Sequence, residues 1–158
     1  MTPDERRSKI GKIRALPSLL DGAVQGLNDA QLDTPYRQGG WTVRQVVHHL
    51  ADSHMNAFIR MKLILTEEQP RLKPYDQDAW ARLPDTLTMP IGVSMGILRG
   101  LHDRWTTLLE SVPDAGWNRT AFHPERGDVT LDSILTTYAE HGEKHVGQIT
   151  GLRRAQRW

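Results

Sequence analysis

The chain has no cysteine, which excludes disulfides, thiolate metal ligands, iron–sulfur clusters and a cysteine nucleophile together; any thiol chemistry needs a thiol from outside. Neither sign of charge is in excess: 20 Lys and Arg stand against 19 Asp and Glu, a formal net charge of +1. That balance supplies no field for a nucleic-acid backbone or an anionic membrane, so neither partner is expected. No apolar run approaches the roughly 18 residues of a membrane span. No apolar stretch with a small-residue cleavage site follows the start Met1-Thr2-Pro3-Asp4-Glu5-Arg6-Arg7, and the expected location is cytoplasmic. What is left for metal or acid–base chemistry is 7 histidines in 158 residues, a length that suits one domain with one core.

Apolar residues recur at helical spacing from about Thr2 to Leu27 (Ile10, Ile13, Leu16, Leu19, Leu20, Ala23, Val24, Leu27), with Pro17 expected to kink or restart this first helix. Asn28-Asp29-Ala30-Gln31 reads as a capped turn, and Gly39-Gly40 marks a loop. Thr42-Val43-Arg44-Gln45 has the form of a capping box and opens a second helix to about Leu65. From Thr66 to Leu87, Pro70, Pro74 and Pro84 break any period, so a long connection, a crossover or a lid, is expected. A third helix follows Thr88-Met89-Pro90, with Met95, Leu98, Leu101, Trp105 and Leu108 behind it. Pro113 to Val129 is broken and has room for a short extended pair around Phe122 and Val129; Thr130 then caps a fourth helix to about Arg154. Four amphipathic helices with two long connections give an all-α fold, a four-helix bundle whose neighbours need not follow a simple up-down-up-down path.

On the fourth helix Ile134, Tyr138, His141, His145, Ile149 and Leu152 share one stripe. At i and i+4 the two imidazoles can converge on one ion, whereas unpaired polar rings on an apolar face would each cost desolvation energy. The plainer alternative is a pair of hydrogen-bonded core histidines. On the second helix Gln45, His49, Asp52, Ser53, Asn56 and Arg60 form a polar stripe, such as ordinarily faces solvent, while His54 falls among apolar positions and His48 at their flank. Periodicity does not select His49 as a third ligand and leans toward His54.

The segments Gln31-Leu32-Asp33-Thr34-Pro35-Tyr36 and Gly39-Gly40-Trp41-Thr42-Val43-Arg44-Gln45-Val46-Val47-His48-His49-Leu50-Ala51-Asp52-Ser53-His54 strongly resemble the YfiT-like branch of the DinB-like superfamily. The resemblance continues at Arg60 and Lys62, at Pro74-Tyr75-Asp76 with Trp80, at Leu101-His102 with Arg104-Trp105-Thr106, and from Tyr138 to Ile149, covering nearly the whole chain. It implies a bundle in up-down-down-up order, commonly a homodimer, holding one divalent ion of nickel or zinc type on His49, His141 and His145. The polar stripe of the second helix would then line an internal cavity, making Asp52, Asn56 and Arg60 candidates for the catalytic pocket. Tyr75 and Trp80 would close over it as cosubstrate-binding residues, unless they belong to an ordinary surface loop. Gly142, Glu143, Lys144 and Gln148 stand where some relatives carry further histidines, which bears on pocket polarity.

Three neutral imidazoles leave an ion's charge uncancelled and positions open, as in catalytic sites. Hydroxide or a thiolate suits such an ion. The motif is not that of a zinc peptidase, since Gly142 takes the place of the glutamate base in His-Glu-x-x-His, and Glu143 points elsewhere round the helix. The resemblance implies a thiol S-transferase in which a low-molecular-weight thiol such as bacillithiol attacks an electrophilic small molecule. Two alternatives stand beside it: metal-dependent hydrolysis, and a non-catalytic bundle that binds metal or small molecules. His102 and His123 read as structural or exposed, and Arg153, Arg154 and Arg157 as a favourable helix end.

Overall fold

Three of the four long helices start at a capping box. Thr2 pairs with Glu5 ahead of α1 (Pro3–Val24), Thr42 with Gln45 ahead of α3 (Val43–Thr66) and Thr130 with Ser133 ahead of α7 (Leu131–Gln156). In each, reciprocal side-chain bonds satisfy backbone N–H groups that the first turn leaves free. The fourth long helix, α6 (Ile91–Glu110), begins behind Pro90 without a side-chain cap. The computed structural model describes all 158 residues. Short helices α2 (Asp29–Leu32), α4 (Gln77–Trp80) and α5 (Pro84–Thr88), a 3₁₀ turn (Asp114–Asn118) and an antiparallel hairpin of β1 (Thr120–His123) and β2 (Gly127–Thr130) fill the connections.

Three expectations are refined. Of the kink or restart expected at Pro17, the restart does not occur, because α1 runs through it without interruption. The segment after α3 is not irregular throughout: Asp76 caps one turn at α4 and Pro84 opens another at α5. The extended pair expected around Phe122 and Val129 is sharpened to the hairpin of β1 and β2, whose Phe122 bonds Pro70 and Leu72 and ties the two long connections together.

Long-range contacts fix the helix directions. Arg6–Asp132, Lys12–Glu143 and the bond from Arg153 to the Ala23 carbonyl advance together along α1 and α7, so these run parallel. Arg14–Glu110 and Arg99–Asp21 run in opposite senses, so α6 is antiparallel to α1. His48–Ser94 and Trp105–Met61 make α3 and α6 parallel, while His49–His141 and Arg60–Tyr138 set α3 antiparallel to α7. The order is therefore up-down-down-up, with α1 diagonal to α3. Because α3 and α6 are parallel, residues 67–90 must travel back along the bundle, and this crossover supplies one wall of the site.

The apolar interior is split. One cluster gathers Ile13, Ala57, Met61, Trp105 and Leu135; the other gathers Leu16, Leu50, Leu98 and Ile149. On α3, α6 and α7 respectively, His54, His102 and the pair His141 and His145 lie between them. No helix is long and apolar enough to cross a membrane.

Candidate metal centre

The antiparallel approach of α3 and α7 brings His49 to His141 and His145. One ligand atom from each lies within 4.8 Å of the others, and His141 Nε2 is 3.2 Å from both His49 Nε2 and His145 Nε2. Bonds of about 2.0–2.1 Å to a tetrahedral ion put donor nitrogens about 3.3 Å apart, which the two distances from His141 match, while His49 and His145 close on each other as an ion is taken up. The donor chemistry fits as well. Burial, reinforced by its neighbours' imidazoles, pushes His49 down to about 3 and His141 to about 2; burial also lowers His145. At neutral pH all three are the uncharged form that binds metal. His145 Nδ1–H donates to Gln148 Oε1 at 2.8 Å, leaving Nε2 bare toward the cluster.

No carboxylate joins the three rings. Glu143 is exposed and paired with Lys12 at 2.8 Å. At Gly142 a Cβ would meet the Leu16 side chain at 2.8 Å, because α1 and α7 touch there, so the peptidase glutamate has no room. Trp41 covers the cluster, its ring 4.5 Å from that of His49 and stacked at 6.3 Å on His145, with its indole N–H donated to Asp78 of α4 at 3.1 Å.

One cavity opens onto His141 and His145, and a second shares part of its wall without touching the three ligands. The open one, of about 500 Å³, is lined by Tyr36, Trp41, Asp78, His141, Lys144 and His145 among others. The small one, of about 80 Å³ behind it, is lined by Arg60, Tyr75, His123, Glu125 and Arg126. Ser53, Gln77, Arg126, Thr137 and Tyr138 line both. Tyr75 turns its hydroxyl into this region; the group is buried and leans toward Ser53 without reaching hydrogen-bond geometry, and burial pushes it up to about 12.

The expected pocket residues divide. Arg60 lines the small cavity and donates to Tyr138 Oη and to the Lys73 carbonyl. Asp52 and Asn56 line neither cavity, because the polar stripe of α3 is shared between cavity and crossover. Asp52 is part-buried near Asp85 of α5, and burial with that neighbour pushes its carboxyl up to about 6; the Asn56 amide is spent on the Asp52 carbonyl. Trp80 is 37% exposed and reaches the cavity only through Tyr75, on which it packs at 4.4 Å.

Helical periodicity favoured His54 over His49, and the structure reverses this. His54 lies at 0% exposure behind His141, its Nε2 3.2 Å from His141 Nδ1 and its Nδ1 3.0 Å from His102 Nε2. His102 is 1% exposed, and His123 is buried beside the small cavity. Sequence reasoning gave no role to Trp41 or Arg126, and named Ser53 and Gln148 only as part of a stripe and of a departure from relatives. Their signal was limited to the Trp41 motif and to Gln148 lying three residues past a ligand; the others depend on which connection covers which helix.

A DinB superfamily model matches residues 12–149. A provisionally named metal-dependent hydrolase of Oceanobacillus iheyensis is 49% identical over 149 residues, 94% of this chain and 86% of that one. The provisionally named metal-dependent hydrolase YfiT of Bacillus subtilis is 45% identical over 159 residues, all of this chain and 89% of its own. The solved structure of that YfiT, described as a four-helix bundle of unusual topology, superposes with a TM-score of 0.98 over 100% of this chain and 91% of that one.

Proposed function

The chain belongs to the DinB superfamily, and from that premise we propose that it is a metal-dependent thiol S-transferase with one nickel or zinc ion on His49, His141 and His145. A divalent ion there lowers the pKa of a coordinated thiol or water and so supplies a nucleophile at neutral pH. The chain itself then has to orient two small molecules and exclude bulk water. The observation that supports transfer over hydrolysis is that the open cavity at His141 and His145 extends, through five shared lining residues, toward a smaller chamber: a second cosubstrate needs extra room beside the ion and water does not.

Arg60 and Arg126 on the small cavity, with Lys144 on the open one, favour a cosubstrate that carries a negative group. Tyr75 Oη offers a buried hydrogen bond to whatever enters, which makes it a binding residue. Trp41 and the Tyr75–Trp80 pair form the apolar lid. In the transfer, a carbon–sulfur bond forms as the electrophile's bond to its leaving group breaks; the thiol proton ends on buffer or on the leaving group. The names of the relatives favour a second reading, hydrolysis of an activated ester or amide, which requires no thiol. A homodimer is also proposed, on the exposed apolar side chains Leu83, Leu87, Met89, Val93 and Ile97 along α5 and the start of α6.

The deciding experiment measures metal per chain in tag-free wild type and His141→Ala. It then follows consumption of low-molecular-weight thiols with a reactive aryl halide, and cleavage of a nitrophenyl ester in thiol-free buffer. About one ion per chain, lost in the variant, with thiol consumption above background, is expected. Ester turnover without thiol dependence replaces the transferase by the hydrolase. Inertness in both assays leaves a binding bundle.

A further inference from the structure

Behind the three ligand rings stands a string of imidazoles that the ligand set does not use. His141 Nδ1 is 3.2 Å from His54 Nε2, His54 Nδ1 is 3.0 Å from His102 Nε2, and His102 Nδ1 is 2.6 Å from the Ile13 carbonyl oxygen. One end forces the direction of every bond. A carbonyl only accepts, so the proton of His102 is on Nδ1; a neutral ring has one N–H, so its Nε2 accepts. His54 Nδ1 must then donate, and its Nε2 accepts from His141 Nδ1–H. His141 Nε2, facing His49 and His145, is left with a bare lone pair.

The carbonyl at the end of the string is free for a specific reason. Ile13 lies inside the uninterrupted helix α1, where its oxygen would ordinarily accept the N–H of residue 17. Residue 17 is proline and has no N–H. A proline in a helix interior is strongly disfavoured, and here, in the buried position Pro17, it releases an acceptor toward the middle of the bundle. The rest of the surroundings keep the string closed. His54 and His102 are 0% and 1% exposed. Trp105 and Tyr138 stand edge-on to His54 with ring centroids at 5.5 and 5.4 Å, and their polar ends are engaged elsewhere, with Met61 Sδ and Arg60.

We propose that Pro17, the Ile13 carbonyl, His102 and His54 form one positioning device, which locks the metal ligand His141 in the tautomer whose Nε2 is available to the ion. Outer partners of this kind orient ligating histidines and set their basicity. The device is built from all four long helices, so the tautomer of His141 is tied to the docking of α1 and α6 on α3 and α7. The proposal rests on His141 as a metal ligand and is independent of which reaction the ion serves.

The test is ¹⁵N–¹H correlation spectroscopy of the histidine rings in the wild-type chain at neutral pH, metal-free and zinc-loaded. His102, His54 and His141 are all expected to carry the proton on Nδ1 in both states; an Nε2–H form at any of them in the folded metal-free chain overturns the proposal. Alongside it, zinc affinity is measured by chelator competition for wild type and His102→Phe, which keeps a buried ring and removes both hydrogen bonds. A loss of about 10–100-fold is expected, and unchanged affinity overturns the device. Should His102→Phe lose helix content, Pro17→Ala replaces it: the restored N–H draws the Ile13 carbonyl back into α1, with about tenfold weaker zinc binding expected and unchanged binding again decisive against the proposal. A wild type that takes up no zinc overturns the metal centre itself, and the uptake measurement tells that failure apart from failure of the device alone.

Discussion

Mild acid should destabilise the metal-free protein through its buried histidines. His49 and His141 hold folded values of about 3 and about 2 against an ordinary 6.5, first because burial disfavours their charged forms. Below 6.5 the unfolded chain therefore binds protons that the folded chain refuses, and stability falls as pH drops. It is fully present above the unfolded value and is lost progressively toward the folded one. Between pH 7 and about 5.5 each ring costs about 1.3 kcal/mol, about 2.5 kcal/mol for the pair. Asp52, raised to about 6, works in the opposite sense and offsets part of this. For a domain of this size about 2 kcal/mol corresponds to a fall in Tm of about 4–8 °C. The assay is thermal unfolding by circular dichroism on chelator-stripped protein at the two pH values, with His49→Leu/His141→Leu as the control that reduces the slope, the part left over coming from the other buried histidines, His54 and His145 among them. A wild-type Tm that stays within about a degree would refute the reasoning, as would an equal slope in the double variant.

Gly142→Glu, which installs the peptidase-type residue, is expected to destabilise by about 1–3 kcal/mol through overpacking against Leu16; an unchanged urea midpoint would contradict this. Tyr75→Phe should leave metal content and Tm intact, since its hydroxyl has no partner to lose, while raising the KM for one cosubstrate severalfold; steady-state kinetics beside elemental analysis reads both. Val93→Asp/Ile97→Asp, on exposed and successive turns of α6, is expected to convert a dimer to monomer in sedimentation velocity without changing metal content.

Much of the fold was legible because each long helix carries its own period, and three carry their own cap. Thr42 with Gln45 and Thr130 with Ser133 announce α3 and α7 locally, and the i, i+4 pair His141 and His145 follows from one helix alone. His49 did not follow from the residues, because the polar stripe of α3 looks alike whether solvent or a crossover covers it; the family resemblance named it. The division of that stripe, with Arg60 on the cavity and Asp52 and Asn56 off it, depends on where residues 67–90 lie. The role of Pro17 was hidden for the same kind of reason. A proline in a helical pattern reads as a break until a donor from another helix is seen to occupy the carbonyl it frees.

The division of labour along the chain has an evolutionary consequence. His49, His141 and His145 come from α3 and α7, whose packing is shared with the whole bundle, whereas Tyr75, Gln77, Asp78, His123, Glu125 and Arg126 come from the crossover and the hairpin. Changes in the crossover and hairpin can therefore retune which molecules enter while the ion's seat and the core stay as they are, and a lineage can diversify its chemistry by editing connectors alone.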